Sequence, residues 1–146
     1  PVAVIEDIAA VKAEKFKRID DLLIEEKVNR ISVEISTENF YKVVDELIDN
    51  AFKFSNQMSK VRIKTYTKGQ HLFISISDEG RGMTKEQING VAALAQFERT
   101  IYEQQGVGMG LVIAKRIVEL HGGDFFIESS EGIGTTITFS LFYKNV

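Results

Sequence analysis

No glycine precedes Gly69, although the 146-residue chain has 11, and its only proline is Pro1. Glycine and proline are the residues that most readily interrupt helices and strands. Their absence predicts nearly continuous secondary structure in the first half, with the flexible turns gathered in the second. Within that first half, Val4, Ile5, Ile8, Val11 and Phe16 recur near helical spacing and predict an amphipathic helix over about residues 3–16. Asp21–Ile24 and the alternating Ile31–Ile35 read as short strands, and Ser36 or Thr37 can cap a helix running to about Phe54. Val61–Tyr66 and Leu72–Ile76 alternate around Lys68-Gly69-Gln70, the pattern of a hairpin.

Beyond the hairpin a polar helix is expected after Thr84. Leu111–Leu120 is a strongly apolar helix ended by His121-Gly122-Gly123. Phe125–Ile127 and Thr136–Phe139 read as a closing hairpin around Gly132 and Gly134. Strand pairs joined by hairpins and separated by helices predict an α+β fold: one mixed, mostly antiparallel sheet with helices packed on one face.

Composition bounds the function. With 44% hydrophobic and 27% charged residues the chain resembles an average globular domain, so a disordered or collagen-like chain is excluded. The net charge of −3 gives no electrostatic reason to bind nucleic acid or an anionic membrane. The lack of cysteine excludes disulfides, thiol catalysis and zinc–thiolate sites. Glu6 and Asp7 come too early for a secretory signal, and the chain starts without Met. It is read as a segment of something longer, or a processed product.

Three stretches carry chemistry. In the helix before Phe54, Val43, Val44, Leu47, Ile48, Ala51 and Phe52 form an apolar side, while Glu46, Asn50 and Lys53 fall at i, i+4 and i+7 opposite it. Carboxylate and amide oxygens suit a hard cation such as Mg²⁺, and Lys suits phosphate oxygens. The same spacing is also that of an ordinary solvated face, although Asn50 is a poor choice there. The strand ending at Ser77 delivers Asp78, followed by Gly80 and Gly82. An ionised carboxylate only accepts hydrogen bonds. It would take the exocyclic amino group of adenine and repel the oxygen that guanine presents there. The alternative is a plain Asp/Gly turn. Last, Gly106-Val107-Gly108-Met109-Gly110 runs into the apolar helix, so its N–H groups can meet an anion. No strand is expected before it and no Gly-Lys-Ser/Thr follows, so it is neither a dinucleotide fingerprint nor a Walker loop.

In this order and spacing the stretches resemble the catalytic ATP-binding domain of sensor histidine kinases, within the GHKL superfamily shared with gyrase and MutL. Glu46–Ser55 is similar to the N box, Asp78–Met83 to the G1 box, Gln96–Arg99 to the F box and Gly106–Leu111 to the G2 box. His121-Gly122-Gly123 and Gly132–Thr136 are similar to the family's closing strands. The resemblance implies a two-layer α/β sandwich of the Bergerat type with ATP and Mg²⁺ as ligands. It implies that residues 1–17 are a connecting helix from an upstream domain and 18–146 the catalytic domain. Asn50 would hold Mg²⁺ with help from Glu46, which would alternatively act as base, and Lys53 would meet a phosphate. Asp78 would bind adenine with Thr135 nearby, in a pocket shaped by Gly80 and Gly82. Gly106, Gly108 and Gly110 would hinge a lid over the phosphates, Phe97 would anchor it and Arg99 would touch a phosphate. Many histidine kinases carry Asn where this chain has Glu46, which also fits the ATP-hydrolysing relatives.

The chain has only His71 and His121, one beside a turn and one at a helix end. Both read as structural, so the resemblance implies a phosphoacceptor histidine on a separate domain, in cis or in trans. A downstream response regulator, a cytoplasmic location and no membrane contact by this segment are implied as well. Alternatives are an ATP-hydrolysing or serine-phosphorylating relative, or a non-catalytic ATP-sensing module.

Overall fold

The computed structural model describes residues 2–28, 30–93 and 109–145. In chain order these form α1 (Val2–Lys15), a 3-10 turn (Ile19–Asp21), β1 (Leu22–Glu26), β2 (Ile31–Val33), α2 (Thr37–Lys53), β3 (Val61–Lys68) and β4 (His71–Asp78). The chain continues with α3 (Lys85–Ala93), α4 (Met109–Leu120), β5 (Phe125–Ser130) and β6 (Gly134–Asn145). Ser36 caps α2 by accepting from the Asn39 N–H at 3.2 Å. Thr84 and Gln87 cap α3 reciprocally, the Thr84 N–H donating to Gln87 Oε1 and the Gln87 N–H to Thr84 Oγ1. Gly122, at φ +76, ends α4 in the left-handed region.

The strands form one sheet in the order β1-β3-β4-β6-β2, with β5 also on β6. Every pairing is antiparallel except β1–β3, which is parallel. That pair makes the sheet mixed, mostly antiparallel, as expected, with α2 crossing over between the two parallel strands. Alternation sets the sides: Val61 and Ile63 of β3, Leu72, Ile74 and Ile76 of β4, and Ile137, Phe139 and Leu141 of β6 are buried beneath the helices. The opposite face is open and carries Tyr66 stacked on Phe73 (5.2 Å between centroids) and His71 against Phe142 (4.3 Å). A two-layer α/β sandwich results, with its helices on one side as expected.

Two ties fix α1 and its exit to α2. Lys12 lies between Asp45 and Asp49, at 3.1 and 3.0 Å. Burial disfavours its charge, but the two carboxylates outweigh this and raise its pKa above the ordinary value. Lys17, at φ +56, then turns the chain so that Arg18 points inward, where it is 4% exposed. The Arg18 guanidinium donates to Asp21 Oδ2 at 2.8 Å, to the carbonyls of Phe52, Ser55 and Ser59, and to both serine hydroxyls. It also lies 5.1 Å from the centre of the Phe52 ring. The expected strand at Asp21 therefore starts one residue later, because Asp21 turns back to pair with Arg18 and to accept the Met58 N–H. The Arg18 guanidinium holds the Asp21 carboxyl below its usual range.

Candidate functional site

The row of inward side chains on β4 runs Leu72, Ile74, Ile76 and then Asp78. A carboxylate thus stands where the pattern calls for an apolar residue, at the end of the sheet beside Thr135 of β6. Gly80 N–H donates to Asp78 Oδ1 at 2.9 Å, and the Thr135 N–H also bonds the carboxylate. Burial pushes the Asp78 pKa up, and these two N–H groups and the Arg18 charge offset this only in part.

Asp78 closes one end of an apolar slot between α2 and the sheet. Leu47, Ala51 and Phe54 form the α2 wall, Ile76 and Ile137 the sheet wall, and Met83 and Leu111 the rim. Asn50, Arg81, Gly82, Gln87 and Thr135 complete the lining. The Asn50 side-chain amide makes no hydrogen bond to a described residue. The Arg81 guanidinium stacks over the Phe54 ring at 4.2 Å.

The two glycines after Asp78 have different reasons. Gly82 sits at φ +70, where a Cβ would also collide with the Ser130 carbonyl. At Gly80 a Cβ would strike the Phe54 carbonyl and crowd Asp78 Oδ1. The turn between strand and slot is stitched on both sides: the Arg81 N–H donates to the Phe54 carbonyl, and the Gly132 N–H to the Arg81 carbonyl at 2.7 Å.

Glu46 lies outside the slot lining. Lys42 Nζ reaches its Oε1 at 2.6 Å, and its other oxygen presses on the first turn of α4 at Gly110, where any Cβ would collide with the carboxylate. A carboxylate there complements the positive end of the helix. Lys53 is exposed, with Nζ 5.4 Å from the centre of the Phe54 ring, and does not line the slot. The structure therefore brings together Asn50, Asp78, Gly82 and Thr135, with Gly80 behind Asp78 and Glu46 against Gly110. Phe97, Arg99, Gly106 and Gly108 lie outside the described residues. His71 and His121 are remote from the slot, His71 on the open sheet face and His121 with Nδ1 2.7 Å from the Ile117 carbonyl at the end of α4.

Sequence reasoning missed Ser129, which lies across from Thr135 in the β5–β6 register. Its Oγ meets the Met83 N–H (2.7 Å), the Gly134 carbonyl (3.0 Å) and Thr135 Oγ1 (2.8 Å). A serine in an alternating strand carries no signal of such a role.

Chemically the slot takes a flat apolar ring on its walls and an amino group at Asp78. The family model for Histidine kinase-, DNA gyrase B-, and HSP90-like ATPase matches residues 35–145, which span this whole site. The chain belongs to that family. Within it, the chain is similar to the ATP-binding domains of sensor histidine kinases. It is 40% identical over 118 residues to the sensor histidine kinase WalK of Bacillus subtilis, covering 77% of this chain and 19% of that protein. It is 31% identical over 147 residues to an uncharacterized sensor-like histidine kinase of Rhizobium meliloti, covering 97% of this chain and 28% of that protein. The chain thus spans less than a third of the length of these relatives. Among solved structures, a mycobacterial sensor histidine kinase, MprB, superposes with a TM-score of 0.79 at 25% identity, covering 99% of this chain and 95% of that one. The catalytic domain of the histidine kinase ThkA shares the fold, with a TM-score of 0.78 at 21% identity over 96% and 90% of the two chains.

The slot's chemistry is compatible with the nucleotide that the ATPase family model implies. Mg²⁺ keeps much of its water shell and is held by one or two protein oxygens plus substrate phosphates. The Asn50 amide, on the slot wall, offers one oxygen of the kind such an ion takes.

Proposed function

We propose that the chain binds Mg-ATP and donates the γ-phosphoryl group to a histidine on a separate phosphoacceptor domain, in cis or in trans, within a two-component signalling system. The observation that carries this reading is the Asp78 carboxylate, held by two N–H groups at the end of an apolar slot, with the Asn50 amide along its wall unbonded to any described residue.

Asp78 accepts the amino group of adenine, and Leu47, Ile76, Met83 and Ile137 exclude water from the ring. Asn50 offers its amide oxygen to Mg²⁺, with Glu46 as a second oxygen or as the acceptor of the imidazole proton. When bound, the ion neutralises charge on the phosphate oxygens. Gly110 lets α4 come close to Glu46 at the phosphate end of the site. Lys53, with its side chain exposed, can turn toward a phosphate. Phe97, Arg99, Gly106 and Gly108 complete the lid in this reading. Residues 1–17 connect to an upstream domain, 18–146 form the catalytic domain, and a response regulator receives the phosphoryl group downstream. A cytoplasmic location follows from the supply of ATP. None of the described helices is long and apolar enough to cross a membrane.

The test is incubation with Mg-ATP and a separately prepared phosphoacceptor domain of a related kinase. Acid-labile phosphohistidine on that domain is the expected result. Nucleotide binding without transfer would reduce the chain to a sensing module. ADP release with no acceptor present would make it a hydrolase, with Glu46 acting on water.

A further inference from the structure

We propose that Ser129 is a specificity-determining positioning residue, which fixes the polarity of the Thr135 hydroxyl so that, beside Asp78, it shows the slot acceptor lone pairs only. The inference rests on the nucleotide reading above and names how that site rejects the wrong base.

A serine hydroxyl has one hydrogen to give and two lone pairs to receive with. Ser129 Oγ has three protein partners. The Met83 N–H can only donate to it, at 2.7 Å, and the Gly134 carbonyl can only accept from it, at 3.0 Å. The hydrogen of Ser129 is thereby committed to Gly134. The third contact, 2.8 Å to Thr135 Oγ1, must then be made with the hydrogen of Thr135. Thr135 is 9% exposed and lines the slot. With its hydrogen turned toward Ser129, it shows the slot lone pairs alone.

The other groups at this end share that polarity. Ionised Asp78 cannot donate. The Gly80 and Thr135 N–H groups, which could donate, are both turned onto the Asp78 carboxylate. An amino group at the 6-position of a base finds acceptors at Asp78 and Thr135, whereas an oxygen at that position finds no donor from either. A site whose buried polar groups are left unpaired by the wrong ligand discriminates strongly against it. Asp78 supplies repulsion, and Ser129 withholds the Thr135 hydroxyl hydrogen, which would relieve it.

The test compares the affinities of ADP and IDP, its 6-oxo counterpart, for the whole chain by calorimetry. Ser129→Ala frees the Thr135 hydrogen to rotate into the slot. The ratio of IDP to ADP dissociation constants should fall by about threefold to tenfold, the worth of one hydrogen bond. Ser129→Thr, which keeps the hydroxyl, should retain the wild-type ratio. Ser129→Cys, a weaker acceptor of similar size, should lie between and covers the case in which the alanine variant does not fold. In a Thr135→Val background, Ser129→Ala should no longer change the ratio. Equal weakening of both nucleotides in Ser129→Ala, or an unchanged ratio, would overturn the proposal and leave Ser129 as a strand-pairing hydroxyl. Failure of the unaltered chain to bind ADP at all would instead remove the nucleotide reading itself.

Discussion

Substituting Asp78→Asn should separate binding from stability, because the carboxylate serves one at the expense of the other. The side chain replaces an acceptor oxygen with an N–H donor where the adenine amino group is expected. A hydrogen bond to a charged group contributes about 1.5–3 kcal/mol, so ADP affinity should fall about 10- to 150-fold. The ligand-free domain should respond differently. Burial raises the pKa of Asp78, with Gly80, Thr135 and Arg18 offsetting this in part, so the folded chain holds that proton more tightly than the unfolded chain. The stabilisation linked to this proton is complete below the ordinary carboxylate value and is lost as pH rises through the raised one. The asparagine of the variant cannot titrate, so the variant should gain on the parent as pH rises from about 4 through the raised value. Calorimetric titration with ADP at neutral pH, together with urea unfolding from about pH 4 to about pH 8, measures both effects across the window in which the carboxyl ionises. Unchanged ADP affinity would refute the assignment of the adenine contact. A stability difference that stays constant across the pH range would refute the burial argument.

Other perturbations probe the site from different sides. Gly110→Ala adds a methyl group into the Glu46 carboxylate but improves helix propensity by about 1 kcal/mol or less, so melting should hold while phosphotransfer falls by about tenfold or more. Gly82→Ala meets both a left-handed φ and the Ser130 carbonyl, so urea unfolding should register a loss of about 1–3 kcal/mol. Arg18→Met leaves the Phe52 and Ser55 carbonyls without their donor, at about 1–3 kcal/mol for each buried group, and the chemical midpoint should drop accordingly.

Much of the sheet was legible because alternation in Val61–Tyr66 and Leu72–Ile76 states which face each residue occupies, and Gly69 marks the turn between the observed strands Val61–Lys68 and His71–Asp78. The cap of α2 at Ser36 was legible too, being a local signal, whereas Thr84 was read only as the place after which a polar helix begins. The parallel β1–β3 pairing and the seat of β2 against the far end of β6 were not. Both depend on segments far apart in the chain, where either partner alone fits several registers. At the site, Asp78 was conspicuous as a carboxylate at the end of an apolar alternation, and Asn50 as an amide in mid-helix. Arg18 was hidden in the run Lys15-Phe16-Lys17-Arg18, which reads as a solvated charged stretch. Only the left-handed turn at Lys17, a residue type that gives no warning of it, sends the guanidinium inward. Ser129 was missed because its partners are defined by distance in space, whereas Lys42 stands at i,i+4 from Glu46, a local spacing that charge pairing could have shown.

The saturation of Arg18 has a mechanical consequence. Its donors are spread over the turn after the first helix and over residues 52–59, which carry Phe54 at the base of the slot. Sliding one of these segments against the other would strand a cation among dry carbonyls, which costs several kcal/mol. The turn after α1 and the segment carrying Phe54 are therefore tied to each other through one guanidinium, so that a shift of either pulls on the other.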